Sequence, residues 1–154
     1  MKHLRHLVLV LGDQLELEAS VFTGFDTEQD AVWMTKAQEE STHVRSSKQR
    51  IALFLSAMRH FAQVLRETGR PIYYHRLDDP GPVAALDNLG AKLRAELMTL
   101  VLKREVMTAP GDWRVLKQLK AVVEAAGLAR DAVLTQRCSR VSAPAHTPRC
   151  TGIF

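Results

Sequence analysis

Leu4 to Leu11 is nearly continuous in leucine and valine, the pattern of a central strand buried on both faces of a parallel sheet. Ala31-Val32-Trp33-Met34 forms a second apolar run, reached through Gly24-Phe25-Asp26, a stretch with turn chemistry. From Ser46 onward the period changes. Ile51, Phe54, Leu55, Met58, Phe61, Ala62 and Leu65 recur at three-to-four spacing, with Arg50, Arg59 and Arg66 off the stripe. That spacing predicts an amphipathic helix, with Ser46 as its N-cap and Gly69 followed by Pro71 as its stop. Pro71 to Arg76 reads as a third strand, and Asp78-Asp79-Pro80-Gly81-Pro82 as a loop opening a helix from Val83 to Leu97. Glu105 to Thr108 reads as a fourth strand. Ala109-Pro110-Gly111-Asp112 then turns the chain, and Asp112 caps a helix from Trp113 to Ala126, with Trp113 packing its start and Gly127 after its end.

Strands and helices alternating at this spacing predict an α/β fold, a Rossmann-like doubly wound parallel sheet in a single domain over residues 1–134. After Leu134 the periodicity collapses into a segment with Pro144, Pro148 and arginines but no acidic residue, so residues 135–154 are expected to be an irregular, frayed tail. A ligand in such a fold sits at the carboxyl ends of the strands. Those ends are Gly12-Asp13-Gln14-Leu15, the Met34 to Glu40 segment, the Arg76 to Asp79 loop and Ala109 to Asp112.

Bulk properties narrow the function classes. At 154 residues the chain is long enough for one domain with a core but too short for a Rossmann-like domain plus a helical cofactor domain. Its 21 basic and 17 acidic residues leave a net charge of +4, a mixed surface rather than that of a dedicated polyanion binder. Cys138 and Cys150 lack the four-ligand spacing of a zinc or iron–sulfur site and imply neither metal nor disulfide. The N-terminal apolar run is short and ends in Gly-Asp-Gln, unlike a signal peptide, and no stretch approaches the roughly 18 apolar residues of a membrane span. A cytoplasmic location without membrane contact is expected.

Gly12-Asp13-Gln14-Leu15 places a point of close backbone approach, a carboxylate and an amide at the end of a buried strand, where a bound ring system can be hydrogen-bonded edge-on. Its plain alternative is a turn. Neither GxGxxG nor GxxxxGK[ST] is present, which disfavours the usual phosphate cradles. Glu39-Glu40 could serve acid/base chemistry or simply form a solvated edge. His43, His60 and His75 lack metal-ligand spacing, and Lys48, Gln49 and Arg50 face either an anion or chromophore, or solvent. No nucleophilic triad assembles.

The strand Leu7 to Leu11 running into Gly12-Asp13-Gln14-Leu15, the block Glu39-Glu40-Ser41-Thr42-His43-Val44, and above all the run from Lys48 to Phe61 resemble the N-terminal antenna domain of the iron–sulfur bacterial photolyase/cryptochrome family. The resemblance covers about Leu7 to Gly127. It implies a Rossmann-like antenna domain that binds a lumazine-type light-harvesting chromophore, a small heteroaromatic ligand. Excitation then passes to FAD in a helical domain, for repair of DNA lesions, chiefly of the (6-4) type, or for light signalling. Carried onto this chain, Gly12, Asp13, Gln14 and Leu15 line the antenna pocket, with Glu40 and Lys48 as further candidates. Two positions depart from the family: Lys36 stands where an acidic residue usually follows the second strand, and Ser47 where a histidine commonly precedes the motif lysine. FAD, the iron–sulfur cluster and DNA contact belong to the downstream part of the family, so the chain is expected to be a truncated relative without catalytic competence of its own.

Other functions compete with this reading. One is a stand-alone α/β module that binds a small ligand or meets a partner chain over the surface left by the lost domain. Others are a small enzyme using Asp13 and Glu40, and a DNA-binding fragment.

Overall fold

The computed structural model describes residues 2–36, 47–76, 83, 86 and 88–127, and the backbone of 133–136. Five strands, β1 (Lys2–Leu9), β2 (Asp30–Thr35), β3 (Ile72–His75), β4 (Leu100–Thr108) and β5 (Val133–Gln136), form one sheet in the order β3-β2-β1-β4-β5. Every neighbouring pair is parallel. Among the described residues three helices accompany them, α1 (Lys48–Glu67), α2 (Leu89–Leu97) and α3 (Trp113–Ala125), with a 3-10 turn at Ser20–Phe22. The doubly wound parallel α/β fold is the one that the hydrophobic pattern predicts.

Alternation along β1 explains its unbroken apolar run. Leu7, Leu9 and Leu11 join Trp33 and Met107 in a core layer with Leu89, Leu93 and Leu97 of α2 and Leu119 and Val123 of α3. Val8 and Val10 face the other way, joining Val32, Met34 and Val106 under Met58, Phe61, Ala62 and Leu65 of α1 and beside Val21 and Phe22. With both faces covered, every position of the central strand between Leu7 and Leu11 is buried.

Local chemistry fixes the helix ends. The Ser47 hydroxyl accepts from the backbone N–H of Arg50 at 3.3 Å, so α1 is capped one residue later than the spacing suggests; Ser46 lies outside the described residues. At its far end Gly69 takes φ 73°, which lets Arg70 N–H reach Leu65 O at 2.9 Å and Gly69 N–H reach Arg66 O at 3.0 Å, a Schellman stop. The Asp112 carboxylate caps α3, accepting from Arg114 N–H at 2.8 Å.

Three further boundaries differ from the sequence reading. Helix α2 starts at Leu89 instead of Val83, because Asn88 Oδ1 accepts from Ala91 N–H at 2.6 Å and so ends the preceding loop. Val83 belongs to a turn, its carbonyl receiving Leu86 N–H at 3.3 Å. Strand β4 starts at Leu100 instead of Glu105: Lys103 and Arg104 disguise it as a loop, but Leu100 to Leu102 pair with Lys2 to Leu4. Finally, β5 extends the sheet beside β4 through Gln136, so the expected limit at Leu134 falls inside a strand. Residues 137–154 lie outside the described residues.

At the amino end of the sheet a buried carboxylate ties β1 to β2. Asp30 accepts from Arg5 Nε at 3.0 Å, His6 N–H at 3.1 Å and Asp26 N–H at 2.8 Å, and pairs with Arg5 Nη2. Burial pushes its carboxyl up, but the hydrogen bonds from Arg5 and Asp26 and the charges of His6 and Arg5 outweigh that and hold it below the ordinary range.

Candidate functional site at the carboxyl ends of β1 and β4

In the order β3-β2-β1-β4-β5 the connections change faces between β1 and β4, making that pair the topological switch point. Beyond β1 the chain runs Val10-Leu11 and then turns at Gly12-Asp13, with Gln14 N–H bonded to Leu11 O at 2.9 Å. A Cβ on Gly12 would lie 2.7 Å from Cε1 of Phe54 and closer still to its Cζ, so the missing side chain is what allows α1 to approach the end of β1.

Gln14 reaches across the switch point. Its side-chain NH2 donates to two backbone carbonyls at the end of β4, those of Thr108 and Ala109, each at 3.4 Å. Two carbonyl acceptors on one side fix the amide orientation, since the reversed amide would set oxygen against oxygen. The Gln14 Oε1 is therefore left as an acceptor, and it is buried without a partner. An acceptor in that state costs free energy until something donates to it.

A cavity of about 210 Å³ opens here, lined by Asp13, Gln14, Glu16, Ala19, Ser20 and Thr108. It is several times the ~30 Å³ share of one water molecule. Its lining combines two carboxylates and the Gln14 amide with the hydroxyls of Ser20 and Thr108, and among the described residues contains no cationic side chain. Such a wall suits an uncharged ligand rich in N–H and O–H groups and disfavours phosphate.

Of the sequence candidates, Asp13 and Gln14 line this cavity. Gly12 sits behind it against Phe54, and Leu15 packs on the core layer of Val8 and Phe22. Lys48 is exposed in the first turn of α1. Glu40, with Glu39 and His43, lies outside the described residues. Trp113 does not pack the start of α3 as the sequence suggests: it is 68% exposed.

The fold also brings Lys36 and His75, which the sequence shows only separately, together with Lys92 and Glu96, which it does not single out. At the carboxyl ends of β2 and β3, Lys36 is buried with its ammonium 4.6 Å from the centre of the Phe54 ring. The wholly buried Lys92 donates to Lys36 O at 2.8 Å, and His75 Nε2 meets Glu96 Oε2. The available signal was that Lys92 and Glu96 fall on the Leu89, Leu93, Leu97 side of α2, where an inward stripe is ordinarily apolar. Among the described residues no group of three or more histidine, cysteine or acidic side chains could hold a metal ion, and no helix is long and apolar enough to cross a membrane.

Comparison with known proteins agrees with this architecture. The family model described as deoxyribodipyrimidine photo-lyase-related protein matches residues 8–139. A (6-4) photolyase of Agrobacterium fabrum is 35% identical over 128 residues, which is 81% of this chain and 24% of that protein. The chain thus spans about a quarter of the length of the curated relative it matches. With the match running from within β1 to just past β5, the chain belongs to the deoxyribodipyrimidine photo-lyase-related protein family.

Proposed function

We propose that this domain binds a lumazine-type heteroaromatic chromophore at the carboxyl ends of β1 and β4, as the antenna unit of a light-dependent DNA-repair or photoreceptor protein. The observation that carries the reading is the orphaned Gln14 Oε1 beside a cavity at the switch point. A lumazine ring presents an imide N–H flanked by carbonyls. The fixed Gln14 amide would accept that N–H, and the hydroxyls of Ser20 and Thr108 are available donors for ring carbonyls. When bound, such a chromophore absorbs blue light and passes the excitation on.

The chain's own contribution is to bind, orient and exclude water. Gln14 is held by Thr108 O and Ala109 O, so its acceptor is in place before a ligand arrives and little ordering cost remains. Flavin chemistry and lesion binding belong, on this reading, to the part of a photolyase-related protein outside the matched quarter. The alternative of a protein-interaction module has in its favour the exposure of Leu53 and Trp113, at 72% and 68%. Scattered exposed apolar side chains are common on protein surfaces and need no partner, so the ligand reading is preferred.

Calorimetric titration of the purified protein with a ribityl-lumazine tests the proposal. Saturable binding is expected, weakened about tenfold or more by Gln14→Leu, the effect of losing one buried hydrogen bond. Absence of saturable binding, or a Q14L variant that binds as tightly as the parent, would refute it.

A further inference from the structure

Glu105 lies within β4, in register with Leu7 of β1 and Val133 of β5. Its exposure is 0%. Strand alternation puts it on the side of Met107, in the core layer that Leu93 and Leu97 of α2 and Leu119 and Val123 of α3 cover. Neither carboxylate oxygen has a hydrogen-bond partner. An ionised carboxylate in such a place forfeits its hydration for nothing in return, whereas the neutral acid loses far less.

Among the described residues the ionisable groups on the surrounding elements offer no compensation. On β1, His6 meets Asp30; on α2, Lys92 donates to Lys36 O and Glu96 pairs with His75. On α3, Lys117 and Glu124 are exposed and Lys120 is half-buried, while Lys103 and Arg104 of β4 itself are exposed. The segment Val133-Leu134-Thr135-Gln136 carries no ionisable side chain. Burial is the one cause acting on the Glu105 carboxyl, and it pushes the group up to about 8.

We propose that Glu105 is a proton-operated latch on this side of the sheet: as the neutral acid it lets β4, β5 and α3 close over it, and its ionisation opens that layer at β5. The direction of opening follows from topology. On one side β4 is paired along most of the central strand β1, and on the other with a four-residue strand at the sheet edge. Water therefore reaches Glu105 at least cost by release of β5. In the open state the carboxyl regains its ordinary value of 4.5. The opening equilibrium then rises about tenfold per pH unit until it levels near the closed-state value, or about fiftyfold from pH 6 to pH 8.

Pulsed hydrogen exchange on the whole protein, without added ligand and corrected for intrinsic rates, reads this directly. In the parent protein the amides of residues 105–108 and 133–136 should lose protection about fiftyfold between pH 6 and pH 8. In Glu105→Gln their corrected protection should be flat, and Glu105→Leu serves equally should the glutamine variant fail to fold. Carbon-13 titration of the parent should find the Glu105 carboxyl near 8. An ordinary titration, equal pH dependence in parent and variant, or pH-dependent loss confined to β2, β3 and α1 would overturn the proposal.

Discussion

At Gly12 the absence of a side chain does structural work that a ligand-centred reading of the turn does not reveal. The Phe54 ring of α1 fills the space where a Cβ would stand, and the Lys36 ammonium lies 4.6 Å from the centre of that ring. Gly12→Ala should therefore destabilise the protein by about 1–3 kcal/mol, the usual range for overpacking. Urea unfolding of G12A, F54L and the double variant checks the cause: most of the loss should return in the double variant, whereas simple additivity would mean that the two positions do not meet. Gln14 next door shows how far a sequence speaks for a site. Its position after a buried strand was legible as ligand chemistry. That Thr108 and Ala109, more than 90 positions away, would fix its amide could not be read from local pattern.

Elements were legible where apolar periodicity was long and uninterrupted, as in β1 and α1, and obscure where charge broke it. The three consecutive charged residues Lys103-Arg104-Glu105 conceal the middle of a nine-residue strand, because pairing with β1 overrides local polarity. β5, at four residues, is too short to display a period at all. The start of α2 was masked by Pro80-Gly81-Pro82, a strong turn signal six residues ahead of the true cap at Asn88. That cap makes a prediction at this scale: Asn88→Ala removes the acceptor for Ala91 N–H and should cost about 1 kcal/mol of stability in thermal unfolding. A change within error would place the helix start elsewhere.

For the whole molecule, two buried carboxyls of opposite displacement shape the dependence of stability on pH. Asp30 is held below its ordinary 3.8, so its contribution is present above that value and is lost as pH falls through its depressed folded-state value. Glu105 is raised from 4.5 to about 8: the unfolded chain releases this proton first, so stability declines as pH rises across that interval and then levels. The decline is on the order of 5 kcal/mol at full extent. Denaturation midpoints should thus fall from pH 5 to pH 8 in the parent and stay flat over this range in E105Q, while Asp30→Asn should be destabilised at pH 7 and approach the parent only as the Asp30 carboxylate is protonated in acid. Coincident curves for parent and variant would remove the corresponding residue from the account.

The antenna reading depends on ligand binding at one end of the sheet, and nitrogen-15 correlation spectra recorded during a lumazine titration locate that end most directly. The account predicts shifts concentrated at the Gln14 side-chain amide and the backbone of Asp13, Glu16, Ser20 and Thr108, the residues around the 210 Å³ cavity. Shifts centred instead on His6, Asp30 and Arg104 at the opposite end of the strands, or no shifts at saturating ligand, would contradict it.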